Sequence, residues 1–224
     1  MRVANAAIAV LGTLLAAGQS AAGQTGSASQ GHVTTARHSD PGAAFQRIFG
    51  PAQPPYGFVQ FCDENPADCI SGPLEQTRFN ATPARLSELD EVNRYVNRTV
   101  QPITDLEHYG VAEYWTLPKD GKGDCEDYAL LKRHLLLERG WPISSLLMTV
   151  VRDEKGEGHA VLTARTAQGD YVLDNKAEEV RLWYQTPYEF VMRQSYLNTR
   201  AWISLDPTDT SAPLAIAGVK PPRR

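Results

Sequence analysis

Three residues in this chain have side chains that could share covalent chemistry: Cys125, His159 and Asp174. A thiolate attacks a carbonyl carbon, an imidazole accepts the thiol proton, and a carboxylate holds the imidazole in the required tautomer and orientation. Cys125 lies in Gly-Asp-Cys-Glu-Asp, where a helix is predicted to begin. Backbone N–H groups point outward at such an end and the helix dipole favours a negative sulfur. The same N–H groups could stabilise a tetrahedral oxyanion. His159 opens a strand-like run and Asp174 closes the next one. Each also has a plainer reading: a small buried hydrophobe for Cys125, a polar strand terminus for His159, and a turn former beside Asn175 for Asp174. Their order, on a helix start and two strand ends, favours the catalytic combination.

The elements that must position these residues are legible in outline. Thr82-Pro83 is a helix start, a cap followed by Pro at the first helical position. Leu86, Leu89, Val96 and Val100 recur at helical spacing, so an amphipathic helix is predicted to about Arg98. Asn93 interrupts that stripe and reads as a polar residue at the helix edge. A loop with Tyr109, Tyr114, Trp115 and Pro118 leads to the central helix, Asp124 to about Arg139, stopped by Gly140 and Pro142. Strand-like runs follow at Leu146–Val151, His159–Arg165 and Tyr171–Asp174, with a turn marked by Gly169-Asp170. Setting His159 level with Asp174 requires a tight loop at Thr166-Ala167; a turn nearer Gly169 offsets them. Residues 43 to 72 are Pro- and Gly-rich and read as irregular. Tyr114, Trp115, Trp183 and Tyr184 are candidates for a substrate groove, although core packing is the more ordinary role of such aromatics.

The chain has 224 residues, 42% hydrophobic and 21% charged, enough for one globular domain with a core. A net charge of −4 and no basic cluster beyond Arg223-Arg224 argue against nucleic acid as a partner. Arg2, an apolar run from Ala4 to Ala17 and the small residues Ser20-Ala21-Ala22 have the layout of a secretory signal, with an uncleaved anchor as the alternative. No other stretch is long and apolar enough to span a bilayer. The expected organisation is a signal peptide over 1–22, a disordered lead-in over 23–44, a catalytic domain over 45–205 and a loose tail over 206–224. Export to the periplasm or beyond makes the cysteines informative. Cys62 and Cys69 could close a small disulfide loop. That leaves Cys125 as a reactive thiol, an intermolecular partner or an inert buried residue.

Asp124, Glu126 and Asp127 crowd Cys125. Three carboxylates beside a thiol raise its pKa and oppose the thiolate. A bound Ca2+ would offset them, since hard oxygen ligands suit it. The alternative is helix chemistry alone, with Asp124 as N-cap and Asp127 as a first-turn acid.

Gly121-Lys122-Gly123-Asp124-Cys125-Glu126-Asp127-Tyr128, His159-Ala160-Val161-Leu162 and Val172-Leu173-Asp174-Asn175 together resemble the bacterial transglutaminase-like cysteine peptidases. Val92-Asn93-Arg94-Tyr95-Val96-Asn97 and Glu113-Tyr114-Trp115-Thr116-Leu117-Pro118 fit the same pattern. The resemblance implies an α+β, papain-like fold with the Cys-bearing helix packed on an antiparallel sheet. It implies Cys125 as nucleophile, His159 as general base and acid, Asp174 as orienter, and Ca2+ beside the nucleophile. It further implies a periplasmic endopeptidase acting on a protein such as a surface adhesin in biofilm release, under an inner-membrane receptor. The Cys62–Cys69 segment and the Trp183–Trp202 region look like a separate branch. A transglutaminase or amidase shares the triad, and a non-catalytic binding module could share the fold.

Overall fold

Two helices meet where the sequence places them. α2 (Pro83–Thr99) starts at Thr82, whose hydroxyl accepts a hydrogen bond from the Arg85 backbone N–H, with Pro83 in the first turn. Its apolar stripe buries Leu89, Val92 and Val96. α4 (Cys125–Glu138) is the central helix, and nine of its residues are buried, among them Tyr128, Leu130 and Leu136. It ends as a Schellman turn: Gly140 takes φ 80°, its N–H donates to the Leu137 carbonyl and the Trp141 N–H donates to that of Leu136.

The computed structural model describes residues 41–70 and 77–208. The expected signal peptide, most of the lead-in and the tail from 209 lie outside the described residues. The last part of the expected lead-in, Pro41–Ala44, is a turn of 3-10 helix.

Helices pack on one seven-stranded antiparallel sheet. Its strands are β1 (Gly50–Ala52), β4 (Leu146–Arg152), β5 (Gly158–Thr166), β6 (Gly169–Leu173), β7 (Arg181–Leu182), β8 (Glu189–Ser195) and β9 (Asn198–Ser204). The spatial order is β1-β9-β8-β4-β5-β6-β7. A separate parallel pair joins β2 (Gln101–Pro102) to β3 (Lys122–Gly123) and delivers the chain to the start of α4. On the helix side, Met148 and Val150 of β4 join Ala160, Leu162 and Ala164 of β5 and the helical residues in the main core. Val151, Val161 and Val172 form a smaller cluster, against which Trp183, Tyr188 and Phe190 pack. Alternation along each central strand thus divides two buried faces, which is why β4 reads as an unbroken apolar run.

The β5–β6 connection fixes the register that the sequence left open. Thr166 pairs with Gly169 and Leu162 with Leu173, so the turn is Ala167-Gln168. One further step sets Asp174 level with Val161, two residues from His159.

Two stretches depart from expectation, and a third takes a form the sequence left open. The segment over 43–72 is not irregular throughout: it holds β1 and α1 (Tyr56–Glu64), which begins immediately after Pro54-Pro55. Cys62 on α1 is disulfide-bonded to Cys69. The loop before α4 contains α3 (Asp105–Tyr109), opened by a capping box between Thr104 and Glu107. The aromatic-rich stretch after Trp183 forms the β8–β9 hairpin. Among the described residues, no helix is long and apolar enough to cross a membrane.

Leu162 is fully buried between α4 and the sheet, whereas Leu106 on α3 is 62% exposed. Leu162→Ala should therefore lower unfolding free energy by about 2–5 kcal/mol, and Leu106→Ala by no more than about 0.5 kcal/mol. Urea denaturation followed by circular dichroism reads both.

Candidate functional site

Cys125 is the first residue of α4 and the remaining free cysteine. Its sulfur is buried where the helix end abuts β5. Sγ accepts a hydrogen bond from the Ala160 backbone N–H (3.3 Å), one residue from His159, and its thiol donates to Glu126 Oε2 (3.1 Å). Cys125 and β5 therefore meet although they are far apart in sequence.

His159 is 1% exposed and Asp174 is 4% exposed. The imidazole Nε2 lies 2.8 Å from Asp174 Oδ1. With Nε2 as donor, Nδ1 is left as the basic nitrogen. Asp174 is anchored on several sides. Its Oδ1 also accepts from the Lys176 backbone N–H (3.0 Å), and its Oδ2 accepts from the Tyr188 hydroxyl. Burial would raise the Asp174 carboxyl, but the hydrogen bond and charge of His159, with the other donors, hold it below the usual carboxylate range.

Two asparagines of α2 hold the backbone that carries Asp174. Asn93 is fully buried; its Oδ1 accepts from the Asp174 N–H (3.0 Å), and its Nδ2 donates to the carbonyls of Ala177 and Glu178. Asn97 Nδ2 donates to the Asp174 and Ala177 carbonyls. The reading of Asn93 as a helix-edge residue is therefore corrected. Nothing local marks it, because its partners are more than eighty residues away. Of the aromatics considered for a groove, Trp115 is 1% exposed and packs edge-on against Phe58 and Trp202, so it belongs to the core.

The acidic residues separate into two environments. Asp105, Asp124 and Glu126 each bring a carboxylate oxygen within 4.8 Å of the others. Asp124 stands at the N-cap position without capping; its Oδ2 instead accepts from the Asp105 backbone N–H (3.2 Å). Asp124 Oδ1 and Glu126 Oε1 are buried with no hydrogen-bond partner. Such orphaned oxygens, with hard carboxylate donors converging, fit a divalent cation of the Ca2+ type. Asp127 is not in this group: its Oδ1 accepts from the Thr116 N–H (2.9 Å), and its side chain packs under Gly123, where a Cβ would come within 2.6 Å of the Asp127 Cβ. Asp105, which the sequence reading did not single out, takes its place, and its own Oδ2 accepts from the Tyr114 N–H. The Thr104-x-x-Glu107 capping signal could have located the helix that carries it, though not its partners.

The electrostatics follow from this crowding. Burial, then the charges of Glu126 and Asp124, push the Cys125 thiol well above its ordinary value, against a smaller opposing effect of the Ala160 N–H. Burial, then Asp124, likewise raises Glu126. Burial, opposed by the Thr116 N–H and aided by Asp124, raises Asp127 to about 8. Burial and Asp124 raise Asp105 to about 6. Carboxyls raised on folding contribute stability that is full below their unfolded values, near 4, and lost as pH rises through the folded ones. In chelator, unfolding free energy should accordingly fall between pH 4 and 7. Asp127→Asn should flatten the profile and calcium should counter the fall, both measured by urea titration across pH. A flat wild-type profile would contradict these shifts.

A solved structure of Legionella pneumophila LapG described as calcium-bound is 24% identical, with 51% of this chain and 66% of that chain covered and a TM-score of 0.44. An EGTA-treated LapG from the same organism is 26% identical, with 51% and 64% covered and a TM-score of 0.43. The match spans just under two thirds of those LapG chains. No curated protein matches. The family model described as "Bacterial transglutaminase-like cysteine proteinase BTLCP" matches residues 48–210, which contain Cys125, His159, Asp174 and the three clustered carboxylates. With that match running over most of its length, the chain belongs to the bacterial transglutaminase-like cysteine proteinase family.

Proposed function

We propose that this protein is an exported cysteine endopeptidase that cleaves a protein substrate through an acyl-enzyme on Cys125. The observation that supports it most directly is the buried His159–Asp174 hydrogen bond of 2.8 Å, beside a thiol bonded to the neighbouring Ala160 N–H. In this reading His159 Nδ1 takes the Cys125 proton as sulfur attacks the scissile carbonyl, and the C–S bond forms while electrons move to oxygen. The start of α4 offers N–H groups and a dipole for that oxyanion. Collapse expels the leaving amine, which takes its proton from His159. Water, deprotonated by His159, then hydrolyses the thioester and returns the thiol. Asp174 keeps Nε2 protonated and stabilises the imidazolium.

Asp105, Asp124 and Glu126 are the residues that would hold Ca2+. The ion would supply a fixed positive charge beside a sulfur that the neighbouring carboxylates otherwise disfavour as thiolate. The family resemblance extends the reading to a periplasmic site, a surface adhesin as substrate and control by an inner-membrane receptor.

Alkylation of Cys125 tests the centre of this proposal. At pH 7 with calcium, labelling should be rapid; His159→Ala should slow it about 10-fold or more, and chelator should slow it as well. Slow labelling indifferent to His159 and to calcium would rule the mechanism out. Mass spectrometry of a protein substrate separates the related chemistries. A cut chain supports the endopeptidase, whereas a cross-linked or deamidated product would replace it with a transglutaminase or amidase.

A further inference from the structure

Asp174 has two carboxylate oxygens, and only Oδ1 faces His159. The other, Oδ2, is held by the hydroxyl of Tyr188. The Tyr188 ring also stands edge-on to the His159 imidazole, with centroids 5.5 Å apart and planes at 65°. One side chain thus touches both members of the pair. It enters from a different part of the sheet, immediately before β8, and its ring packs against Val151, Val161 and Val172. The approach is fixed by a tight turn in which the Thr186 N–H and hydroxyl both bond the Trp183 carbonyl.

We propose that Tyr188 is a positioning residue for catalysis, setting the rotation of the Asp174 carboxylate and the plane of the His159 ring so that Nδ1 is presented to Cys125. The proposal rests on the Cys125–His159–Asp174 reading above and adds a fourth side chain to it.

The terminal torsion of an aspartate is broad and roughly two-fold. Donors to Oδ1 alone leave the carboxylate free to rock about that bond. A second donor on Oδ2, arriving from the segment that leads into β8, removes the freedom and leaves a single direction for the bond to Nε2. A phenol suits the task because it can only donate here. Burial, and after it the bond to Asp174, push the hydroxyl far above its ordinary range, so it stays protonated wherever the enzyme works. The ring edge performs the second task by confining the imidazole plane, as edge-to-face aromatic contacts do. A residue there for packing alone would not need its oxygen, and phenylalanine would serve as well.

The test uses the mature protein with calcium and three readouts: the alkylation rate of Cys125 at pH 7, the tautomer of His159 by nitrogen-15 NMR, and the thermal midpoint. Tyr188→Phe removes one oxygen and keeps the ring. It should lower the midpoint by only a few degrees, slow alkylation about 10-fold, as loss of a hydrogen bond to a charged group implies, and change the His159 signals from one Nε2–H tautomer to a mixture. Tyr188→Leu removes the ring too and should be slower still. Wild-type alkylation and unchanged His159 signals in Tyr188→Phe would overturn the proposal and leave Tyr188 a packing residue. If Tyr188→Phe proves unstable, the His159 signals of its folded fraction decide between the same two outcomes. His159→Ala separates the two levels: alkylation indifferent to it would remove the triad reading and this inference together, whereas sensitivity to it with a silent Tyr188→Phe removes this inference alone.

Discussion

The contact between the first turn of α4 and the start of β5 is the constraint around which the molecule is organised. A thiol has to be buried enough to be shielded, yet lie where backbone N–H groups and an imidazole can reach it. The Ala160 N–H to Cys125 Sγ bond joins the helix end to the strand at that point. Everything else maintains the join. Leu130 and Leu136 of α4 share one buried core with Leu162 of β5, and the β2–β3 pair leads into the start of α4. Packed beside α4, α2 contributes the two asparagines that hold the Asp174 backbone.

That organisation carries an electrostatic burden. Burial and acidic neighbours both favour the neutral thiol, and the helix dipole and a single N–H are small by comparison. The resting arrangement is accordingly a thiol that donates to Glu126. The geometry separates the carboxylates by task. Asp127 is tied through Oδ1 to Thr116 and packed beneath Gly123, while Asp105, Asp124 and Glu126 converge; buried oxygens without a partner remain on Asp124, Glu126 and Asp127. In the proposed reading, a cation held at this cluster would offset the acid around so buried a sulfur.

Much of this was legible in the sequence because it was written locally. Thr82-Pro83, the Gly140 stop and the apolar run of β4 are short-range signals of caps, ends and burial, and the helices and central strands follow them. The start of α4 and the ends of β5 and β6 mark Cys125, His159 and Asp174 for the same reason. What stayed hidden depends on distant partners. Asn93 looks like a defect in an apolar stripe until the Asp174 backbone is brought against it. Tyr188 lies in a stretch where aromatics are common and a β-bulge in the neighbouring strand pairing blurs the alternation. α1 follows two prolines, which read as a break although Pro at a helix entrance is ordinary. Asp105 belongs to a five-residue helix too short to leave a periodic pattern.

The Ala167-Gln168 turn acts as a length gauge for the site. Side chains alternate between the faces of a strand, so one residue inserted or deleted there would slide β6 by one step against β5 and turn Asp174 away from His159. A two-residue change would restore the facing and displace the carboxylate by about 7 Å along the strand. Keeping Asp174 opposite His159 therefore requires the two-residue tip, or a longer loop or bulge that absorbs any added residue before β6 begins. A turn at the far end of the hairpin thus sets the alignment of two buried side chains several residues away.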